Sequence, residues 1–288
     1  MSQSGRAIEL NAHPSAEYAS LVTEARDVLL QTAAHFTGPD PDQQDDPTKK
    51  PLSLQSAEDR FAASRVTQAS SLGAEDMVIS HLINSLQLDI GIFVLDTGRL
   101  HLQTQELLTQ FKANSRAPVK VYHPVTEAVV KFVGREGSDA MYRSIELRKA
   151  CCNIRKMEPL ERALAGKDAW ITGLRREQSG ARADVLLVET SEVRTKINPL
   201  ANWTWGDVWH YIRENKVAYN VLHDAFYPSI GCEPCTRAIS LGEDFRAGRW
   251  WWEDEAAKEC GLHVDAVSAL PDHAPVSSLD STEKPASA

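Results

Sequence analysis

Ile90-Gly-Ile-Phe-Val-Leu95, followed at once by Asp96-Thr-Gly98, is the stretch on which the fold turns. An apolar run with no polar alternation is the pattern of a strand covered on both faces, as in a parallel sheet. The Asp-Thr-Gly that ends it reads as a turn, and His101 to Ala113 behind it reads as a helix. The same alternation continues on either side. Upstream lie a weaker strand, Arg65 to Ser70, and a helix, Ala74 to Leu86. Downstream come a strand at Val119 to Tyr122, a helix opened by Pro124 and a long helical stretch from Tyr142 to Ala165. Strands at Ala169 to Gly173 and Val185 to Glu189 follow. Strands separated by helical segments of about ten residues or more predict an α/β fold with a doubly wound, mostly parallel sheet.

The flanks are simpler. Ser15 to Phe36 carries Leu21, Val22, Ala25, Val28 and Leu29 at helical spacing and reads as an amphipathic helix. Gly38 to Pro51 holds four prolines among Asp and Gln and reads as a solvated acidic loop. From Val264 onward the chain is rich in Ala, Ser, Pro and Asp without periodicity, which predicts a disordered tail over residues 264–288. The expectation is a single domain over residues 14–263.

Composition excludes several classes. With 42% hydrophobic and 25% charged residues, the chain has the make-up of an ordinary globular protein. No apolar run approaches the roughly 20 residues that span a bilayer, and the first residues lack the apolar core of a secretory signal, so a cytoplasmic location without membrane partners is expected. A net charge of −9 speaks against nucleic-acid binding. In a reducing cytoplasm, cysteines point to metal or catalytic chemistry and away from disulfides.

Ligands of open parallel sheets bind beyond the carboxyl ends of the strands. Three segments leave such ends. Ser70-Ser-Leu-Gly73, opening the Ala74 helix, could cradle a phosphate on its amides, or Ser71 could be a plain helix cap. Leu95-Asp-Thr-Gly98 is the second, and an ordinary turn also accounts for it. Gly173-Leu-Arg175-Arg176 is the third; two arginines at a ligand edge favour an anionic substrate over a solvated loop.

The five cysteines divide as four plus one: Cys151-Cys152, Cys232-Glu-Pro-Cys235 and a lone Cys260. The first four suit one metal centre, either a structural zinc or an iron–sulfur cluster. Adjacent cysteines sit awkwardly on a single small ion, and separate iron corners relax that geometry, so the cluster is favoured. Around Cys260 lie Arg246, Arg249, Lys258 and His263. Such cations depress a thiol's pKa and draw in an anionic electrophile, although acidic neighbours also allow a solvated surface helix.

The combination Lys149-Ala-Cys-Cys-Asn-Ile-Arg-Lys156, Cys232-Glu-Pro-Cys235 and Lys258-Glu-Cys-Gly-Leu-His263 resembles the assimilatory adenylyl-sulfate reductases, over about Arg60 to His263 and including Leu95-Asp-Thr-Gly98 and Gly248-Arg-Trp250. The resemblance implies an adenine-nucleotide α-hydrolase-like fold and thioredoxin-dependent reduction of adenosine 5′-phosphosulfate to sulfite and AMP. It implies Cys260 as the nucleophile, on a catalytic segment spanning residues 241–263, and one [4Fe–4S] cluster on Cys151, Cys152, Cys232 and Cys235. Substrate contacts are implied for Ser70, Ser71, Gly73, Leu95, Thr97, Gly98, Lys156, Arg175, Arg246, Arg249 and His263. The sister group, acting on the 3′-phosphorylated nucleotide, lacks the four cluster cysteines; some cluster-bearing relatives accept both substrates. Two rival readings are an ATP-dependent enzyme of the same fold and a non-enzymatic iron–sulfur sensor. Oligomeric state is left open.

Overall fold

The structure is a computed structural model that describes residues 6–37, 56 and 64–253. The Gly38 to Pro51 loop, the tail from Val264, Cys260 and His263 all lie outside the described residues. Six strands form one sheet: β1 (Val66–Ser70), β2 (Gly91–Leu95), β3 (Val119–Tyr122), β4 (Ala169–Ile171), β5 (Val188–Thr190) and β6 (Thr195–Ile197). Their order is β3-β2-β1-β4-β6-β5, parallel throughout except for β5 against β6. β1 and β2 are buried almost end to end, which is why β2 reads as an unbroken apolar run; β1 buries Thr67, Gln68 and Ser70 and reads as the weaker strand. The chain winds outward from β1 through β2 to β3, then returns to place β4 on the other side of β1. The switch between β1 and β4 opens a crevice at the carboxyl ends of those strands.

Helices cover both faces. α1 (Arg6–Asn11) and α2 (Tyr18–Phe36) precede the sheet. α3 (Ala74–Ser85) follows β1, α4 (Leu102–Asn114) follows β2 and α5 (Thr126–Glu136) follows β3. Ala7, Ala12, Ala25 and Leu29 share one core with the inner strands and α3, so the packed unit begins ahead of the expected start at residue 14.

The structure corrects several boundaries. The helical stretch from Tyr142 to Ala165 is not continuous. It divides into a 3-10 turn at Ala140–Tyr142, α6 (Ile145–Cys152), a π-helical turn at Asn153–Met157 and α7 (Glu158–Leu164). Pro159, in the first turn of α7, has no N–H to donate back to the Arg155 carbonyl, and a widened turn is the usual accommodation. The strand expected at Ala169 to Gly173 stops at Ile171, releasing Thr172 and Gly173 into the crevice. The strand expected at Val185 to Glu189 is β5, shifted to Val188–Thr190; it sits half-exposed at the sheet edge and runs antiparallel.

Three elements escaped the sequence reading, α1, β6 and α8 (Trp205–Asn215). The last had a signal. Thr204 and Asp207 form a reciprocal capping box, the Thr204 hydroxyl accepting from the Asp207 amide and the Asp207 carboxylate accepting from the Thr204 amide.

Candidate active site

The crevice at the β1/β4 switch is walled by the turns that leave the strands. Ser70, Ser71 and Gly73 come from the end of β1, Leu95 and Thr97 from the end of β2, and Thr172 and Gly173 from the end of β4. Lys156 from the π turn, and Arg246 and Arg249 from the segment after α8, complete a cationic side. Eight of the eleven residues implied as substrate contacts therefore line one cleft: Ser70, Ser71, Gly73, Leu95, Thr97, Lys156, Arg246 and Arg249.

The β1 turn is held in an uncommon backbone. Leu72 has φ +62° and is fully buried, a left-handed conformation that costs a non-glycine residue on the order of 1 kcal/mol and is kept here by packing. Ser71 is not a helix cap: its hydroxyl donates to Asp76 at 2.7 Å and its amide to the same carboxylate oxygen at 2.6 Å, while Gly73 occupies the cap position. Burial, with Glu75 adding, pushes the Asp76 carboxyl up to about 6 against the pull of those hydrogen bonds. Gly173 passes so close that an added Cβ would lie 2.5 Å from Asp76 Oδ1 and 3.0 Å from Glu75 Cβ.

Two residues named from the sequence have other places. Arg175 does not line the cleft. It is fully buried, its guanidinium pairs with Glu75 at 3.0 Å, and it lies over the rings of Trp205 and Phe245. Glu75 also accepts from Gln178, whose side-chain oxygen accepts from Arg182. Arg175 is thus the keystone beneath the loop, and Gln178 and Arg182 reach the cleft. Gly98 is not on the cleft surface either; it has φ +67°, and Arg155 Nη1 packs 3.3 Å from where a Cβ would stand. No periodicity or motif distinguished Gln178, Arg182 or Phe245 from loop residues.

Beside the cleft lies a second, smaller cavity lined by all four described cysteines. Cys151 and Cys152 end α6, while Cys232 and Cys235 bracket a 3-10 turn stiffened by Pro234. Arg99, Arg148, Arg155 and Lys156 surround them. The turn is anchored on several sides: the Glu233 amide donates to the Arg99 carbonyl, Tyr142 donates to the Pro234 carbonyl, and the Trp250 amide to the Cys235 carbonyl. Burial pushes the Cys235 thiol up to about 11, helped by Cys232 and opposed by Lys156 and Arg249; burial likewise raises Cys151. Thr97 Oγ1 lies 3.2 Å from Cys232 Sγ, and Arg155 donates to the Thr97 carbonyl at 2.7 Å. Among the described residues, no three His, Cys, Asp or Glu side chains are grouped so as to hold a single ion.

The two cavities share a wall. Lys156 and Cys232 line both. Lys156 stands on the π-helical turn, four residues after Cys152, and faces both cavities.

A mostly parallel six-stranded sheet with its cleft at the switch point, and arginines and a lysine on one wall, is an adenine-nucleotide α-hydrolase-like fold. Residues 65–238 match the family described as the phosphoadenosine phosphosulfate reductase domain. The chain is 51% identical over 212 residues to the adenosine 5′-phosphosulfate reductase of Burkholderia cepacia, covering 73% of this chain and 85% of that one. It is 52% identical over 197 residues to the protein of that name from Allochromatium vinosum, covering 68% and 77%. The crystal structure of phosphoadenylyl-sulfate reductase from Candida auris, a phosphate complex, superposes with a TM-score of 0.50 at 27% identity, covering 63% of this chain and 90% of that one. The chain belongs to the phosphoadenosine phosphosulfate reductase family and is an oxidoreductase, which sets aside the sensor and the ATP-dependent enzyme. Among the described residues no helix is long and apolar enough to cross a membrane.

Proposed function

We propose that the protein reduces adenosine 5′-phosphosulfate to sulfite and AMP with thioredoxin as the electron donor, in sulfate assimilation in the cytoplasm. The observation that carries this reading is the shared wall: one lysine and one cysteine face both a crevice with a cationic side and a pocket of four thiols. The names of the relatives favour the substrate without a 3′-phosphate. None of the four described cysteines is in a disulfide, in keeping with a reducing compartment.

The thiol pocket fits one [4Fe–4S] cluster. Among the described residues it offers four sulfur donors and no competing oxygen ligand, and its four cationic side chains offset the negative charge of a tetrathiolate centre. Cys151, Cys152, Cys232 and Cys235 would hold it. Bound there, the cluster supplies a fixed charge beside the substrate; thioredoxin already provides both electrons.

The chain's own residues account for the rest. The turns after β1 and β2 bind the nucleotide, and Lys156, Arg246 and Arg249 offset the charge that would repel an anionic nucleophile. His263 belongs with them by the sequence resemblance. The Cys260 thiolate attacks the sulfur of the phosphosulfate. The bond from that sulfur to the bridging oxygen breaks, and AMP leaves with the oxygen and the electron pair. A thioredoxin thiolate then attacks Cys260 Sγ, sulfite departs, and the second thioredoxin thiol resolves the mixed disulfide, returning the Cys260 thiolate.

The test is an anaerobic assay of sulfite release from each of the two nucleotides with reduced thioredoxin. Without thioredoxin, the wild-type chain should gain the mass of one sulfonate, and Cys260→Ser should not. Sulfite production by the serine variant would overturn the mechanism.

A further inference from the structure

The segment that brings Arg246 and Arg249 to the cleft has little regular structure of its own. An isolated bridge joins it to the thiol turn at Thr236 and Arg249, and its described part ends at Glu253. What fixes that end is an ion pair. Arg148 on α6 is 1% exposed and Glu253 3% exposed. The contact is two-pronged, Arg148 Nε to Glu253 Oε1 at 2.9 Å and Nη2 to Oε2 at 2.7 Å. The same guanidinium lies 4.6 Å from the ring centroid of Trp250, itself fully buried with φ +41°. One side chain thus grips the segment at two points, three residues before Cys151.

A buried pair of this kind contributes little net stability, because desolvation offsets most of the attraction; its effect is to fix one arrangement among several. Here that arrangement decides where the chain goes next. Cys260 follows seven residues after Glu253. A seven-residue chain spans at most ~25 Å, so Cys260 lies within that distance of this anchor.

We propose that Arg148 and Glu253 form a positioning clasp: they set the departure point of the chain that carries Cys260, and so its approach to bound substrate, without touching the nucleotide. This rests on the reading of Cys260 as the nucleophile. The clasp joins the helix bearing Cys151 and Cys152 to the segment that leads to Cys260.

The experiment compares wild type, Glu253→Gln and Glu253→Asp, normalised to iron content. AMP, which lacks the sulfuryl group, reports nucleotide binding; single-turnover mass gain on Cys260 from adenosine 5′-phosphosulfate reports approach. The expected result is AMP affinity within about twofold of wild type and adduct formation slowed roughly tenfold to a hundredfold. Glu253→Asp keeps the charge and carries the test if the Gln variant fails to fold. Adduct formation at the wild-type rate in a folded variant overturns the clasp, as does a loss of AMP affinity equal to the loss of rate, which would mark a merely structural role. If wild type itself gains no sulfonate, the nucleophile reading has failed instead.

Discussion

The nucleotide cleft and the thiol pocket touch along Lys156 and Cys232, yet they are built differently. The cleft is made by backbone at the ends of β1, β2 and β4, where strand register alone brings Ser70, Leu95 and Thr172 to one edge. The thiol pocket has no such frame. Its parts come from a broken helix and an irregular segment, held by Arg148 on Glu253, Arg155 on Thr97 and Tyr142 on the Pro234 carbonyl. A sheet edge tolerates side-chain change and resists backbone intrusion; a pocket tied by charged side chains does the reverse.

The largest effect expected from this contrast is Cys235→Ser. It should remove iron and the broad absorbance near ~400 nm typical of such clusters, abolish sulfite release, and leave AMP binding within a few-fold. A wild-type protein isolated colourless with one zinc would break the assignment, and loss of AMP binding in the variant would show that the two regions do not fold separately. Next is Lys156→Ala on the shared wall. A cation beside developing charge contributes a few kcal/mol, so Cys260 sulfonation should fall roughly a hundredfold with iron retained. An unchanged single-turnover rate would leave Lys156 as a helix-surface charge.

Gly173→Ala tests the cleft from the opposite side. Its methyl would press on Asp76 and Glu75, and overpacking of this kind costs about 1–3 kcal/mol. AMP affinity should fall with iron content untouched, measured by calorimetry and iron assay. The smallest effect concerns Asp76. Its carboxyl is raised from 3.8 to about 6 in the folded protein, so the native state holds its proton more tightly than the unfolded chain does. The associated stability is fully present below pH ~4 and is lost as pH rises through about 6. Asp76→Asn should flatten that part of the stability profile and gain up to about 3 kcal/mol at neutral pH, read from denaturant midpoints at pH 4 and 7. A profile unchanged by the substitution would show that Asp76 does not titrate there.

Much of this was legible in the chain. Ile90 to Leu95 declared a buried parallel strand because both faces of such a strand need apolar side chains, and the turn behind it had to open at the ligand edge. The thiol pairs were legible for a chemical reason: the chain has only five cysteines, and their grouping reports function directly. What the sequence could not decide is which cations face the ligand. Arg175 and Arg182 look alike in a one-dimensional reading, but Glu75 buries the first beneath the loop and Gln178 holds the second at the cleft. The break at Asn153–Met157 and the clasp between Arg148 and Glu253 also belong to the tertiary structure. Local periodicity carries no record of a partner 105 residues away, and only packing decides which charged side chain loses its water and must find one.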